Sequence, residues 1–188
     1  MTATVSGRDA VDDYISRGLL GLWAPICKSV QVKEGKPFGT KIAGENLVLW
    51  RDGDGKVHCI EDFCPHRGAK LSLGVVQDGN VACRYHGVSV DGTGTIVRVP
   101  AMPECALEGR RPLKSFETAE CADAVFIYLP SADQPEAPAF NPPEEFVNGE
   151  WEAFPCMVKW DCSYRLSLDN AADPMHASYL HNDSFTLA

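Results

Sequence analysis

The sequence predicts a mainly β fold with some α: a small antiparallel β domain, followed by the start of an α+β domain. Three observations carry that expectation. Two runs of strand-type residues each fold back at an Asp-Gly turn, a proline-dense stretch separates them from the C-terminal forty residues or so, and helical patterning is confined to the two ends of the chain.

In chain order, residues 1–20 are mixed in charge, and Ala10 to Leu20 suit one short helix. From residue 21 strand signals dominate. NLVLWR (46–51) and KVHCIED (56–62) flank DGDG, whose Asp-Gly pairs tolerate the positive φ of tight hairpin turns. NVACRYHGVSV (80–90), DGTG and TIVRVP (95–100) repeat the arrangement. A last strand, DAVFIYLP from Asp123 to Pro130, closes a domain spanning 21–130. Residues 131–146 contain Pro135, Pro138, Pro142 and Pro143. Proline lacks an N–H and fixes φ, so this stretch reads as an extended connector with a boundary near Phe146. In the remainder, 147–188, EWEAFPCMVKWDCSYRLSL opens with β-type patterning and LDNAADPMHASYLH suits a helix.

The chain has 188 residues, enough to bury a hydrophobic core without metal or disulfide staples. Seventeen basic against twenty-six acidic side chains give a net charge of −9, which argues against nucleic acid or an anionic membrane as partner. Neither a signal-type apolar region nor a run approaching about eighteen apolar residues is present, so the expectation is a soluble, cytoplasmic protein. Eight cysteines in such a chain favour a reducing compartment. Four of the five histidines fall in two short clusters; His58 stands apart and reads as structural.

The first cluster is Cys64-x-His66, sixteen residues, then Cys83-x2-His86, with each pair at a loop tip. Structural zinc sites usually pair like ligands in each half. Here each half holds one thiol and one imidazole, which suits a 2Fe-2S cluster carrying two Cys on one iron and two His on the other. Gly68 and Gly87 suit turns that aim backbone N–H groups at the sulfurs. Cys27, Cys59, Cys105, Cys121, Cys156 and Cys162 read as small buried apolar residues.

The second cluster is Asp169-x3-Asp173-x2-His176-x4-His181. Spacings of four and three put Asp169, Asp173 and His176 on one helix face. His181 lies about 140° away on an ideal helix, so both imidazoles meet only if the helix bulges or ends between them. Two His and one carboxylate on one face is the ligand set of non-haem Fe(II) oxygenases.

The first motif resembles that of the Rieske iron-sulfur proteins, with Cys64 and Cys83 at the thiolate positions and His66 and His86 at the imidazole positions. Ala69 and Tyr85 stand where high-potential members carry a disulfide, and Val88 and Val90 where they carry a Ser and a Tyr. That resemblance implies fewer hydrogen bonds to sulfur and a lower potential. Both clusters together resemble the N-terminal portion of the terminal oxygenase (alpha) component of Rieske non-haem iron ring-hydroxylating oxygenases. The resemblance implies a Rieske domain followed by an incomplete catalytic domain, with mononuclear Fe(II) on His176 and His181. It further implies Asp173 as an electron-transfer bridge between subunits, Asp169 in an orienting role, and a third carboxylate ligand outside this chain. A reductase or ferredoxin donor, O2, a small aromatic substrate and a homotrimer complete the implied system. A Rieske ferredoxin-like electron-transfer module is the alternative.

Overall fold

The computed structural model describes residues 18–152, 155–158 and 160–181. The helix expected around Ala10 to Leu20 falls mainly outside them, and Gly18 to Leu20 form a turn. The chain divides into two compact units, Met1–Pro155 and Cys156–Ala188.

In the first unit the strands are β1 (Leu22–Lys28), β2 (Phe38–Ile42), β3 (Glu45–Arg51), β4 (Val57–Glu61), β5 (Val75–Gln77), β6 (Asn80–Ala82), β7 (Ser89–Val90), β8 (Ile96–Arg98), β9 (Ser115–Phe116), β10 (Thr118–Cys121) and β11 (Ala124–Leu129). They form three antiparallel sheets ordered β1-β11-β10, β2-β3-β4-β9 and β5-β6-β7-β8. Successive side chains of a strand point to opposite faces. In β3, Val48 and Trp50 enter one apolar core, with Ile60, Leu71 and Val81, while Leu47 and Leu49 enter another, with Val57, Val125 and Ile127. Burial on both faces explains the uninterrupted apolar run LVLW.

Both expected Asp-Gly turns are present and use the same bonds. Asp52 Oδ1 accepts the N–H groups of Asp54 (3.0 Å) and Lys56 (2.9 Å) between β3 and β4. Asp91 Oδ1 accepts those of Thr93 (2.8 Å) and Thr95 (3.0 Å) between β7 and β8. Short acidic side chains that bond the backbone two residues on are the reason Asp opens such turns. The proline-rich stretch carries no strand or α-helix, ends in a 3-10 turn at Glu144–Phe146, and packs onto the first sheet. Trp23 Nε1 donates to the Pro138 carbonyl (3.1 Å), Tyr128 Oη donates to that of Gln134 (2.9 Å), and the Phe140 ring lies 5.1 Å from both Trp23 and Phe126.

No strand occurs among the described residues of 150–163, where β-type patterning was expected; Ala153, Phe154 and Lys159 of that stretch lie outside them. Helix α1 (Tyr164–Ala172) starts at Ser163, whose Oγ accepts the Arg165 N–H. It stops at Asp173, which has φ −103° and ψ 89°. A 3-10 turn, Pro174–His176, and the short α2 (Ala177–Leu180) come next. A single helical face carrying Asp169, Asp173 and His176 is therefore not formed. The ring of Pro174 disfavours helical backbone at Asp173, whose carboxylate caps the next turn through the Met175 N–H (3.0 Å).

Candidate metal centre

The two loops of the first cluster have the same backbone frame. In one, which follows β4, the Cys64 N–H donates to the Ala69 carbonyl (2.7 Å) and the Gly68 N–H donates back to the Cys64 carbonyl (2.8 Å). In the other, joining β6 to β7, Cys83 N–H to Val88 O (2.9 Å) and Gly87 N–H to Cys83 O (2.8 Å) repeat the pair. Gly68 and Gly87 close these turns at φ 71° and 72°, in the left-handed region where a side chain is costly. Their N–H groups close the turns on the cysteine carbonyls, and other backbone groups of the loop are left to face the sulfur. The backbone N–H groups of His66 and Arg67 are the ones that face the Cys64 sulfur.

Both thiols are buried, each 2% exposed, in one apolar cluster with Trp50, Leu71 and Val88. Burial, more than any other influence, pushes the Cys64 thiol up; the His66 N–H opposes it and the adjacent Cys83 thiol adds to it. His66 and His86 are exposed, their rings 4.7 Å apart and edge to face, with Tyr85 stacked on His86 at 3.9 Å. The centre thus pairs thiol with thiol inside and imidazole with imidazole outside. That donor set fits two irons better than one ion, because each pair can serve a separate iron.

In the second unit the rings of His176 and His181 lie 5.5 Å apart. The end of the helix at Asp173 and the 3-10 turn supply the departure from ideal geometry that their spacing required. His176 Nδ1 lies against the Asp173 carbonyl, an oxygen that can only accept a hydrogen bond. The Asp173 carboxylate is engaged as a cap, and Asp169 is exposed on α1. Among the described residues no three His, Cys, Asp or Glu side chains surround a common point. Two imidazoles are brought together here and the carboxylates are not.

His58 behaves as a structural residue. Its Nε2 lies 2.7 Å from Asp52 Oδ2 and its ring 5.4 Å from Trp50. The hydrogen bond from His58 holds the Asp52 carboxyl below its ordinary range. Sequence reasoning missed the buried Asp62, which binds Ser72 at the base of the first loop. Its only sequence signal is an acidic residue two positions before a candidate ligand.

Comparison with known proteins bears on this geometry. The vanillate O-demethylase oxygenase subunit of Pseudomonas sp. strain HR199 is 33% identical over 162 residues, which are 86% of this chain and 45% of that protein. The oxygenase–ferredoxin complex of carbazole 1,9a-dioxygenase superposes with a TM-score of 0.75 at 32% identity, over 94% of this chain and 45% of that one. Dicamba monooxygenase with non-heme iron and dicamba gives a TM-score of 0.59 at 28% identity, over 68% and 38%. The chain therefore spans less than half the length of these relatives and corresponds to their N-terminal portion. No described helix is long and apolar enough to cross a membrane. The pattern of the Rieske [2Fe-2S] domain matches residues 22–117, a span that holds both loops, all four donors and the strands that carry them, and the chain belongs to that family.

Proposed function

We propose that this chain is the N-terminal part of a Rieske-type terminal oxygenase. In this reading Cys64 and Cys83 hold one iron of a 2Fe-2S cluster, and His66 and His86 hold the other. The observation that carries it is the segregation of a buried thiol pair from an exposed imidazole pair on two loops of like backbone. When bound, the cluster supplies one-electron storage and a mononuclear Fe(II) supplies the activation of O2. Cys64 and Cys83 keep water from the sulfur side. The exposed His66 and His86 present the edge toward an electron donor, a ferredoxin or reductase. His176 and His181 hold the mononuclear iron, with the Asp173 carbonyl beside Nδ1 of His176. Asp173 links a neighbouring subunit's cluster to that iron within a homotrimer, and Asp169 orients the segment.

Vanillate, carbazole and dicamba, the compounds named with the relatives, share an aromatic ring, which supports a small aromatic substrate. Eight free cysteines support a reducing, cytoplasmic setting. A second reading is a Rieske electron-transfer module alone, for which the match of the Rieske [2Fe-2S] pattern to residues 22–117 suffices.

Iron and acid-labile sulfide, measured on anaerobically purified protein of verified mass, separate the two. About three irons per two sulfides support the oxygenase, and about two per two the electron-transfer module. Replacing His66 or His86 by Cys adds negative charge at the cluster and is expected to lower its reduction potential. An unchanged potential in both variants removes them as ligands.

A further inference from the structure

We propose that Asp62 is a positioning residue: with Ser72 it forms a latch that closes the base of the first ligand loop and sets Cys64 and His66. The proposal rests on the assignment of those two residues as cluster ligands.

The two loops share a backbone frame but are closed differently. The second is closed by strand pairing, since β6 and β7 flank it in register, Ala82 opposite Ser89 and Val81 opposite Val90. The first has no such ladder. β4 ends at Glu61 with β3 and β9 already on its two edges, and the chain returns from the loop as a 3-10 turn, Leu71–Leu73. The Asp62 side chain makes the connection that backbone cannot. Its Oδ1 accepts the Ser72 N–H at 2.7 Å and its Oδ2 accepts the Ser72 hydroxyl at 2.6 Å. Both distances are in the short range of hydrogen bonds to a carboxylate.

The surroundings hold this latch shut. Asp62 is 7% exposed, and its own N–H donates to the Asn46 carbonyl at 2.9 Å, which anchors it to β3. Gly39 of β2 covers the pair: a Cβ there would lie 2.7 Å from Ser72 Cβ and 2.8 Å from its Oγ. Leu71, next to Ser72, is fully buried in the same apolar cluster as Cys64 and Cys83. Movement of Ser72 therefore reaches the thiols through packed side chains.

The test compares Ser72→Ala and Asp62→Asn with Ser89→Ala, a control in the second loop, where Ser89 Oγ donates to the Gly87 carbonyl (3.2 Å). Loss of the cluster's visible absorption to an iron chelator is followed beside the melting temperature and the EPR spectrum of the reduced protein. Ser72→Ala and Asp62→Asn are expected to lose cluster about 10-fold faster than wild type, with a changed EPR line shape, and Ser89→Ala to behave as wild type. If Asp62→Asn does not fold, Ser72→Ala decides the matter. Wild-type loss rate and spectrum in Ser72→Ala overturn the latch, as does a faster loss that a lower melting temperature accounts for or that Ser89→Ala matches. Wild-type protein without cluster absorption overturns the ligand assignment itself, and is recognised before any variant is made.

Discussion

Arg51 bonds five acceptors at once. Its Nε reaches the Val32 carbonyl, one terminal nitrogen reaches Gly55 O and Glu120 Oε2, and the other reaches Ser29 O and Glu120 Oε1 at 2.6 Å. One side chain thereby ties the β3–β4 turn to β10 and to the chain after β1. Lysine offers no planar fork, so Arg51→Lys is expected to cost about 1–2 kcal/mol in urea unfolding at neutral pH, the pair being partly screened by solvent. The hydrogen bond from Arg51, more than anything else, lowers the Glu120 carboxyl from its ordinary 4.5. A lowered carboxyl contributes stability above its unfolded pKa and loses it as pH falls through the folded one. The gap between wild type and Arg51→Lys should accordingly shrink as the pH is taken below 4.5. Gly92 supports His58 in a different way: a Cβ there would lie 2.0 Å from His58 Nδ1. Gly92→Ala should displace the imidazole from Asp52 and Trp50 and destabilise by about 1–3 kcal/mol, read from thermal unfolding.

At the scale of elements, the twin loops permit a paired comparison. Gly68→Ala and Gly87→Ala both force a side chain into left-handed backbone, at about 1–2 kcal/mol each. Space around Gly68 is open, whereas a Cβ on Gly87 would lie 3.0 Å from Pro100 Cγ. Gly87→Ala should therefore melt lower than Gly68→Ala, by calorimetry on both. These loops also show which features were legible from sequence. Their hairpins were readable because Asp-Gly turn chemistry is local and β3, β4 and β11 have strong apolar patterns. β1, β2, β5, β9 and β10 were not named, although β5 leads into a third Asp-Gly turn, Asp78-Gly79, with φ 52° and 76°. The Asp62–Ser72 contact joins residues ten apart through a fold no local pattern encodes. Placing Asp169, Asp173 and His176 on one helix face failed because face geometry was applied across Asp173, the residue at which Pro174 disfavours helical backbone.

On the scale of the whole molecule, the four proposed cluster donors all lie in the unit Met1–Pro155 and the two paired imidazoles lie in Cys156–Ala188. A chain ending at Pro155 should keep the visible absorption of the cluster, and its reduction potential should match that of the longer chain. His176→Ala in a full-length oxygenase should abolish turnover and leave that absorption intact; retained turnover removes His176 from the mechanism. The composition of the connector was legible, and its attachment was not, because the Trp23 and Tyr128 that hold it sit far away in sequence. That attachment alters what the segment can do as a tether. Ten free residues of extended proline-rich chain, 131–140, would let a module roam to about 31 Å from the end of β11. Pinned at Gln134, Pro138 and Phe140, they provide none of that radius and are part of the first unit. Cutting residues out of 131–140 would therefore loosen the first sheet rather than shorten a tether.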